Sequence, residues 1–468
     1  MATASSINVY DHYAHEDDYA DLDVNGAALR LSRAIACRTV YTTPGETDFS
    51  AFETLVELMR SSYPHVMAAG SLELVGHSVL VTIPGSDPAL RAVQLMAHQD
   101  VVPVVPGTEA LWEHGAFCGF LDDEYVWGRG ALDIKDMLMV ELEAVEYLIA
   151  HHGTPRRSIY LAFGEDEEVT SQGAAHLAEE LLRRGVRLAW LLDEGTTTMC
   201  DGAAYGAPGT VISDICLSQK GYLDVRLSAR GDGGHSSNPF GGTSLERLCR
   251  ALACVSTSKP APQLTPIVGD TFRTLAPHVT EEPFRTLVAD VDANAERLAE
   301  VAAGTRDLHP FVSTTVAIDQ IEGGSAAPNV MPGNVSATIN LRLLPETSIE
   351  DALSLVQDAV DDPGIAIELV HATPAGRVDS VDGAGYAELR EVFEHYYPDV
   401  VVVPSFVCGG TDAIRYESVC DSVLRMSPFR PQPEEETRGV HGTNERISRR
   451  TYAQGIRVLV SLLEHTVL

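Results

Sequence analysis

Lysine is almost absent from this chain: Lys135, Lys220 and Lys259 are the only three in 468 residues. Arginine carries nearly all the positive charge, and acids outnumber bases 67 to 33, a formal net charge of −34. Such a chain lacks the basic footprint that nucleic acid requires, and an anionic membrane surface would repel it. The eight cysteines contain no C-x-x-C pair, which excludes a zinc ribbon and a thioredoxin-like motif; they read as reduced core thiols. No apolar run reaches the roughly 20 residues of a membrane span. The polar, acidic stretch 1–23 has no apolar secretory core, so the expected location is the cytoplasm. Hydrophobic residues at 45% and charged residues at 21% are ordinary for a globular protein, and the length suits two or three domains.

Short apolar segments alternate with amphipathic ones. Strands are expected at 78–83, 92–97, 158–163 and 188–192, and helices at 27–36, 49–60, 137–151 and 173–184. That order predicts an α/β fold with a mixed, largely parallel sheet covered by helices. The middle of the chain differs. Leu223, Val225, Leu227 and Ala229 alternate with Tyr222, Asp224, Arg226 and Ser228, and residues 335–342 repeat the pattern. Period-two alternation marks a sheet with one solvated or partnered face. With helical patterns at 244–257 and 282–303, this predicts an inserted α+β lid or dimerisation domain over 217–343. It would lie between catalytic parts 1–216 and 344–468. The last part carries expected helices at 348–361, 386–397 and 448–463 and strands at 365–370 and 400–403.

Chemistry gathers at the strand ends. The strand 92–97 runs into His98-Gln99-Asp100, the strand 158–163 into Glu165–Glu168, and the strand 188–192 into Asp193-Glu194-Gly195. Asp133 closes a Gly-rich turn, and His441 lies in a loop before the last helix. Open α/β sheets build their sites at the carboxyl ends of strands. Taken singly, a strand-end histidine is more often a hydrogen-bonding residue, an acid run is usually a solvated face, and Asp193 alone reads as a helix cap. Convergence of imidazoles and carboxylates on one rim points instead to a divalent-metal hydrolase.

The stretches AHQDVVPV, YVWGRGALDIKD, AFGEDEEVTSQGA, WLLDEG, SQKGYLDV, GGHSSNP, CGGTDA and HGTNERIS, in that order, resemble the two-zinc exopeptidases. That family includes aminoacylase, carboxypeptidase S, carnosinase-type dipeptidases and acetylornithine deacylase. The resemblance runs from about Leu95 to the last helix and is nearest the branch of carboxypeptidase S and the N-fatty-acyl-amino-acid hydrolases. It implies two zinc ions, with manganese or cobalt as alternatives. His98 and Asp193 would hold one ion, Glu168 and His441 the other, and Asp133 would bridge them, with a cis peptide after it. Asp100 would orient the His98 ring, and Glu167 would be the general base. His235 would stabilise the oxyanion from a second subunit, making a homodimer through the inserted domain. Arg342 would clamp a substrate carboxylate, with Asn329, Gly409, Gly410 and Thr411 as further substrate contacts. Ile134, Asp136 and Val169–Gln172 depart from the family pattern without removing a ligand.

The resemblance therefore implies hydrolysis of an amide bond beside a free carboxylate in a small substrate. A dipeptidase that needs a free substrate amine is the alternative within the class. A non-catalytic metal-binding relative is the alternative outside it, and the intact set of acids and histidines speaks against that one.

Overall fold

Eight strands hydrogen-bond side by side in the computed structural model, which describes residues 13–195, 199–430 and 439–468. The expectation for the polar stretch 1–23 falls partly on residues 1–12, outside the described residues. The order across the sheet is Ser71–Val75, Ser78–Ile83, Ile159–Gly164, Ala92–His98, Leu188–Asp193, Val423–Arg425, Val211–Gln219 and Val400–Val407. Cys200–Asp201 adds a short ninth strand against Val211–Gln219. Ala92–His98 is parallel to both its neighbours, while Ser78–Ile83 joins antiparallel, so the sheet is mixed and largely parallel.

Every residue of Ala92–His98 and Leu188–Asp193 is buried, as expected for strands covered on both faces. Alternation sends Val93, Leu95 and Ala97 into one core, beneath helices Val24–Ala36, Lys135–His152 and Arg449–Val467. Ala92 and Met96 face the other core, with Leu177 and Leu181 of helix Gln172–Arg183. The carboxyl ends of the three parallel strands thus converge on one rim, held from both sides.

A second, four-stranded antiparallel sheet has the order Thr315–Gly323, Asn334–Leu343, Gly221–Arg230, Ile365–Thr373. The expected alternation is present: Leu223, Val225, Leu227, Val335, Ala337, Ile339 and Leu341 are buried against Leu248, Val255 and Val356 of helices Ser244–Thr257 and Ile349–Val360. Besides helix Ile349–Val360, expected in the α/β part but packed on this sheet, two segments depart from the sequence reading. The strand Ile365–Thr373, expected in the α/β part, pairs with Gly221–Arg230. Residues 266–312, expected within the insert, return to the larger core. There helix Pro266–Leu275 packs on Val400–Val407, and Thr271 Oγ1 donates to the Pro404 carbonyl at 2.6 Å. Tertiary packing decides both cases: Ile267, Val268 and Phe272 form an apolar stripe that a neighbouring strand can bury. The expected helix 282–303 is also broken, into Phe284–Leu287, a 3-10 turn and Ala295–Ala303. Asp290, Asp292 and Asn294 occupy the gap, residue types that compete with the helical backbone for hydrogen bonds.

All eight cysteines are free. The expectation that they are core thiols holds for Cys37, Cys216 and Cys420, whereas Cys118, Cys200, Cys249 and Cys254 are exposed. Among the described residues no helix is long and apolar enough to cross a membrane.

Candidate active site

His98 ends its strand 2% exposed, and its ring is fixed from one side. Nδ1 donates to the Asp100 carbonyl at 3.0 Å and lies 3.4 Å from the Asp100 carboxylate. That fixes the tautomer and leaves Nε2 facing the cluster. Asp100 does a second job: its two carboxylate oxygens accept from the backbone N–H groups of Glu167 and Glu168, each at 3.1 Å. One buried acid therefore positions the ring of one strand end and the backbone of the next.

Asp133 stands between two imidazoles. Its Oδ1 is 3.2 Å from His98 Nε2 and its Oδ2 is 3.0 Å from His441 Nε2. His441 Nε2 is also 3.2 Å from Glu168 Oε1. The peptide Asp133–Ile134 is cis, as the resemblance implies. Glu194 Oε1 comes within 3.8 Å of His98 Nε2. Two groups of ligand-type atoms result, His98–Asp133–Glu168 and His98–Glu167–Glu194, each within 4.8 Å of one another.

Asp193 is elsewhere. Its Oδ2 accepts from the Ala413 backbone N–H at 2.9 Å, and its charge faces the buried Arg425. Successive side chains along a strand point to opposite faces. Asp193 is the last ladder residue of its strand and looks away from His98, so the next residue, Glu194, looks toward it. The structure thus puts Glu194 where the sequence reading had Asp193.

The electrostatics call for a cation. Burial, and then the charges of Glu194, Asp412 and Glu168, push the Glu167 carboxyl well above the usual range, with His98 opposing. Burial and neighbouring acids do the same to Glu194. Asp412 is pushed up to about 8 by burial and the Asp193 charge. The Asp133 carboxyl is held low: burial opposes this, but hydrogen bonds from His441 and His98 outweigh it. Hydrogen bonds to Asp133 and Glu168 raise His441 to about 10. Without a metal, the imidazoles must be protonated to offset the carboxylates. Divalent ions replace those protons with a donor set of imidazole nitrogens and carboxylate oxygens suited to zinc and similar ions.

The remaining expected residues divide. A cavity of about 660 Å³ is lined by Glu167, Glu168, Arg342, Gly410 and Thr411, together with Lys220 and Tyr222. Arg342 reaches it from the second sheet, stacked on the Tyr222 ring at 4.5 Å, with Nε donating to Asn340 Oδ1 at 3.2 Å. Gly409 is not among the lining residues. His235 and Asn329 are exposed and also lie outside the lining, close together: Ser236 N–H donates to the Asn329 carbonyl at 2.9 Å, and His235 bridges to Val330. They sit in loops beyond the strand ends of the second sheet.

Three residues were missed by the sequence reading. Glu194 adjoins Asp193 in the same motif. Asp412 sits in CGGTDA and packs so closely on Gly164 that a Cβ there would lie 2.6 Å from Asp412 Oδ2. Glu445, in HGTNERIS, is fully buried and ties two loops together. It pairs with Arg129 and accepts from Gly130 N–H at 3.0 Å and Leu132 N–H at 2.8 Å, while Arg129 Nη2 donates to the His441 carbonyl at 3.0 Å. The loop bearing Asp133 and the loop bearing His441 are thus one unit. Glu445→Ala leaves Arg129 buried without its carboxylate, and loss of one partner of a buried pair costs about 3–5 kcal/mol. Denaturant unfolding is expected to give a free energy of unfolding lower by that amount; an unchanged value would contradict the tie.

A mixed α/β body, a second antiparallel sheet over its rim, and a cluster of two histidines and several carboxylates define a metal-dependent hydrolase. The chain belongs to peptidase family M20/M25/M40, whose profile matches residues 94–465. It is 32% identical over 448 residues to the N-fatty-acyl-amino acid synthase/hydrolase PM20D1 of Bos taurus, covering 93% of this chain and 86% of that one. A probable carboxypeptidase S-like 2 of Dictyostelium discoideum is 28% identical over 464 residues, 97% and 87% of the two chains. Among solved structures, human carnosine dipeptidase 1 shares the fold with a TM-score of 0.66 at 17% identity, over 96% of this chain and 97% of that one.

Proposed function

We propose that this chain hydrolyses the amide bond of an N-acyl amino acid or a peptide's C-terminal residue, beside a free carboxylate. The carrying observation is that one cavity is lined by Glu167 and Glu168 at the cluster and by Arg342 on the opposite sheet. His98, Asp133 and Glu194 would hold one divalent ion, and Asp133, Glu168 and His441 a second. Zinc fits, and manganese or cobalt also suit the donors. When bound, such ions lower the pKa of water toward about 7 and polarise the scissile carbonyl.

The chain's own groups do the rest. Glu167 takes a proton from the attacking water and passes it to the leaving nitrogen. Asp100 keeps Glu167 and the His98 ring in register through the three contacts described above. Arg342 presents a planar fork to the substrate carboxylate, pre-oriented by Tyr222 and Asn340. Asp224, the other acid lining the cavity, is engaged by Tyr222 Oη at 2.9 Å and Asn340 Nδ2 at 2.8 Å. Among the described lining residues, the one acid outside the cluster is thus already hydrogen-bonded within the protein, which favours the acyl-amino-acid reading over the dipeptidase.

His235 acts in the same reading from a second copy, with Asn329 beside it. Support comes from the strand Thr315–Gly323, an open sheet edge with exposed Ile318 and Ile321 that a second copy would cover. The eight free cysteines suit a reducing, cytoplasmic setting.

The test is a panel of N-acyl amino acids, dipeptides and the same compounds with the carboxylate amidated. Free acids are expected to turn over and amidated ones to fail. Arg342→Gln is expected to raise KM for free acids about 10–100-fold, the equivalent of a charge-assisted hydrogen bond. Equal turnover of free and amidated substrates would remove the carboxylate from the reading.

A further inference from the structure

Outside the cavity lining, at the end of helix Tyr386–Tyr396, three side chains converge that the hydrolytic reading does not use. His15 Nδ1 lies 3.9 Å and His395 Nε2 3.7 Å from the same oxygen, Asp18 Oδ2. The two imidazoles stack at 3.8 Å between centroids, 19° from parallel. We propose that His15, Asp18 and His395 form a separate binding site for a zinc-class divalent ion, which fastens the N-terminal segment to this helix.

The spacing supports an ion better than a hydrogen bond. Both nitrogen–oxygen distances exceed hydrogen-bonding range. Tetrahedral ligands at about 2.0–2.1 Å from zinc stand roughly 3.3–3.4 Å apart. The two sides that meet at Asp18 must shorten by roughly half an ångström or less, and the His15–His395 side, which lies within 4.8 Å, by up to roughly 1.4 Å as the stacked rings turn so that both lone pairs meet the ion. All three side chains are about half exposed, so they are free to turn that far. Two imidazoles and one carboxylate suit zinc, nickel and copper. A fourth position would remain open to water.

The backbone already holds the donors near one another. Ala14 N–H donates to the Tyr396 carbonyl and Asp18 N–H to the His15 carbonyl, each at 3.1 Å. Arg457 Nε donates to the Asp18 carbonyl at 3.1 Å. His15 has a φ of 58°, a left-handed conformation that a non-glycine residue adopts only when its surroundings hold it there. The neighbouring cation Arg457 is engaged on the Asp18 carbonyl. Glu16 is paired with Arg450, and the Asp18 carboxylate makes no ion pair with lysine or arginine among the described residues. Tyr396 Oη also donates to it at 3.3 Å.

The test is the number of Zn²⁺ ions held by the full chain, measured by calorimetric titration and elemental analysis. Wild type, His395→Gln and Asp18→Asn are compared, with hydrolysis as the check that each folds. Both variants are expected to bind one ion fewer than wild type and to keep wild-type turnover. Zn²⁺ is also expected to slow proteolytic clipping near residue 15 in wild type alone. Because the readout is a difference between chains, it stands whether the catalytic cluster holds two ions, one or none. Equal stoichiometry and equal clipping in wild type and variants would overturn the proposal.

Discussion

Glu167→Gln is expected to lower kcat by about 10²–10⁴-fold, the usual worth of a general base, while the protein keeps its fold and its metal content. Glutamine matches the volume and polarity of glutamate but does not accept a proton at neutral pH. The site prepares Glu167 for this task. Its backbone N–H is held by Asp100 at 3.1 Å, so the side chain's origin is fixed. Burial and the surrounding acids raise its carboxyl above the usual range, which favours its taking up a proton. Glu167 also lies within ligand spacing of His98 and Glu194, so a role as a metal ligand competes with a role as base. Kinetics and elemental analysis on one preparation separate them. A large fall in kcat with full metal content marks a base. An equal fall with loss of one ion marks a ligand. A variant within about tenfold of wild type, below the worth of a general base, would mean that another group moves the proton.

Much of this site was legible because its chemistry sits at strand ends. His98 and the run Glu165–Glu168 each follow a short apolar strand, and both strands are parallel neighbours in the central sheet. The alternation of residues 222–229 and 335–342 likewise gives the buried face of the second sheet, because successive side chains along a strand point to opposite faces. What was not legible depends on three-dimensional choice. The strand Ile365–Thr373 reads like any edge strand, and its partner Gly221–Arg230 lies more than 130 residues earlier. Helix Pro266–Leu275 has an apolar stripe that fits either core, and only the position of Val400–Val407 decides between them. Glu445 gave no signal of its own. A single glutamate in a polar loop looks solvated until the loop of Gly130 and Leu132 is found wrapped around it.

The neighbouring acids Asp193 and Glu194 give the other large expected effect, because their variants should fail in opposite ways. Glu194→Ala is expected to lose one of two ions and, with it, activity. A lost outer partner of a metal site costs about 10–100-fold in affinity, and a lost ligand costs more. Asp193→Asn is expected to keep the ions and lose stability. The Asp193 carboxylate is buried, accepts from Ala413 N–H, and its charge favours the charged form of Arg425. Arg425 is fully buried; its Nε donates to Thr411 Oγ1 at 3.1 Å, and its two terminal nitrogens have no hydrogen-bond partner among the described residues. Removing that charge leaves the buried guanidinium only the Glu417 and Asp379 charges, at a cost of about 1–3 kcal/mol, that of an under-satisfied buried group. Thr411 would feel the loss, since Arg425 and Gln219 hold it at the cavity wall, so a modest rise in KM should accompany the lower stability. Metal content separates the two residues directly. If Asp193→Asn loses an ion and Glu194→Ala keeps both, the ligand is the last residue of the strand and the rotation of the chain at 193–194 differs in the metal-loaded protein. If Glu194→Ala alone loses the ion, strand alternation sets the ligand, and the acid before it serves to neutralise a buried arginine beneath the substrate cavity.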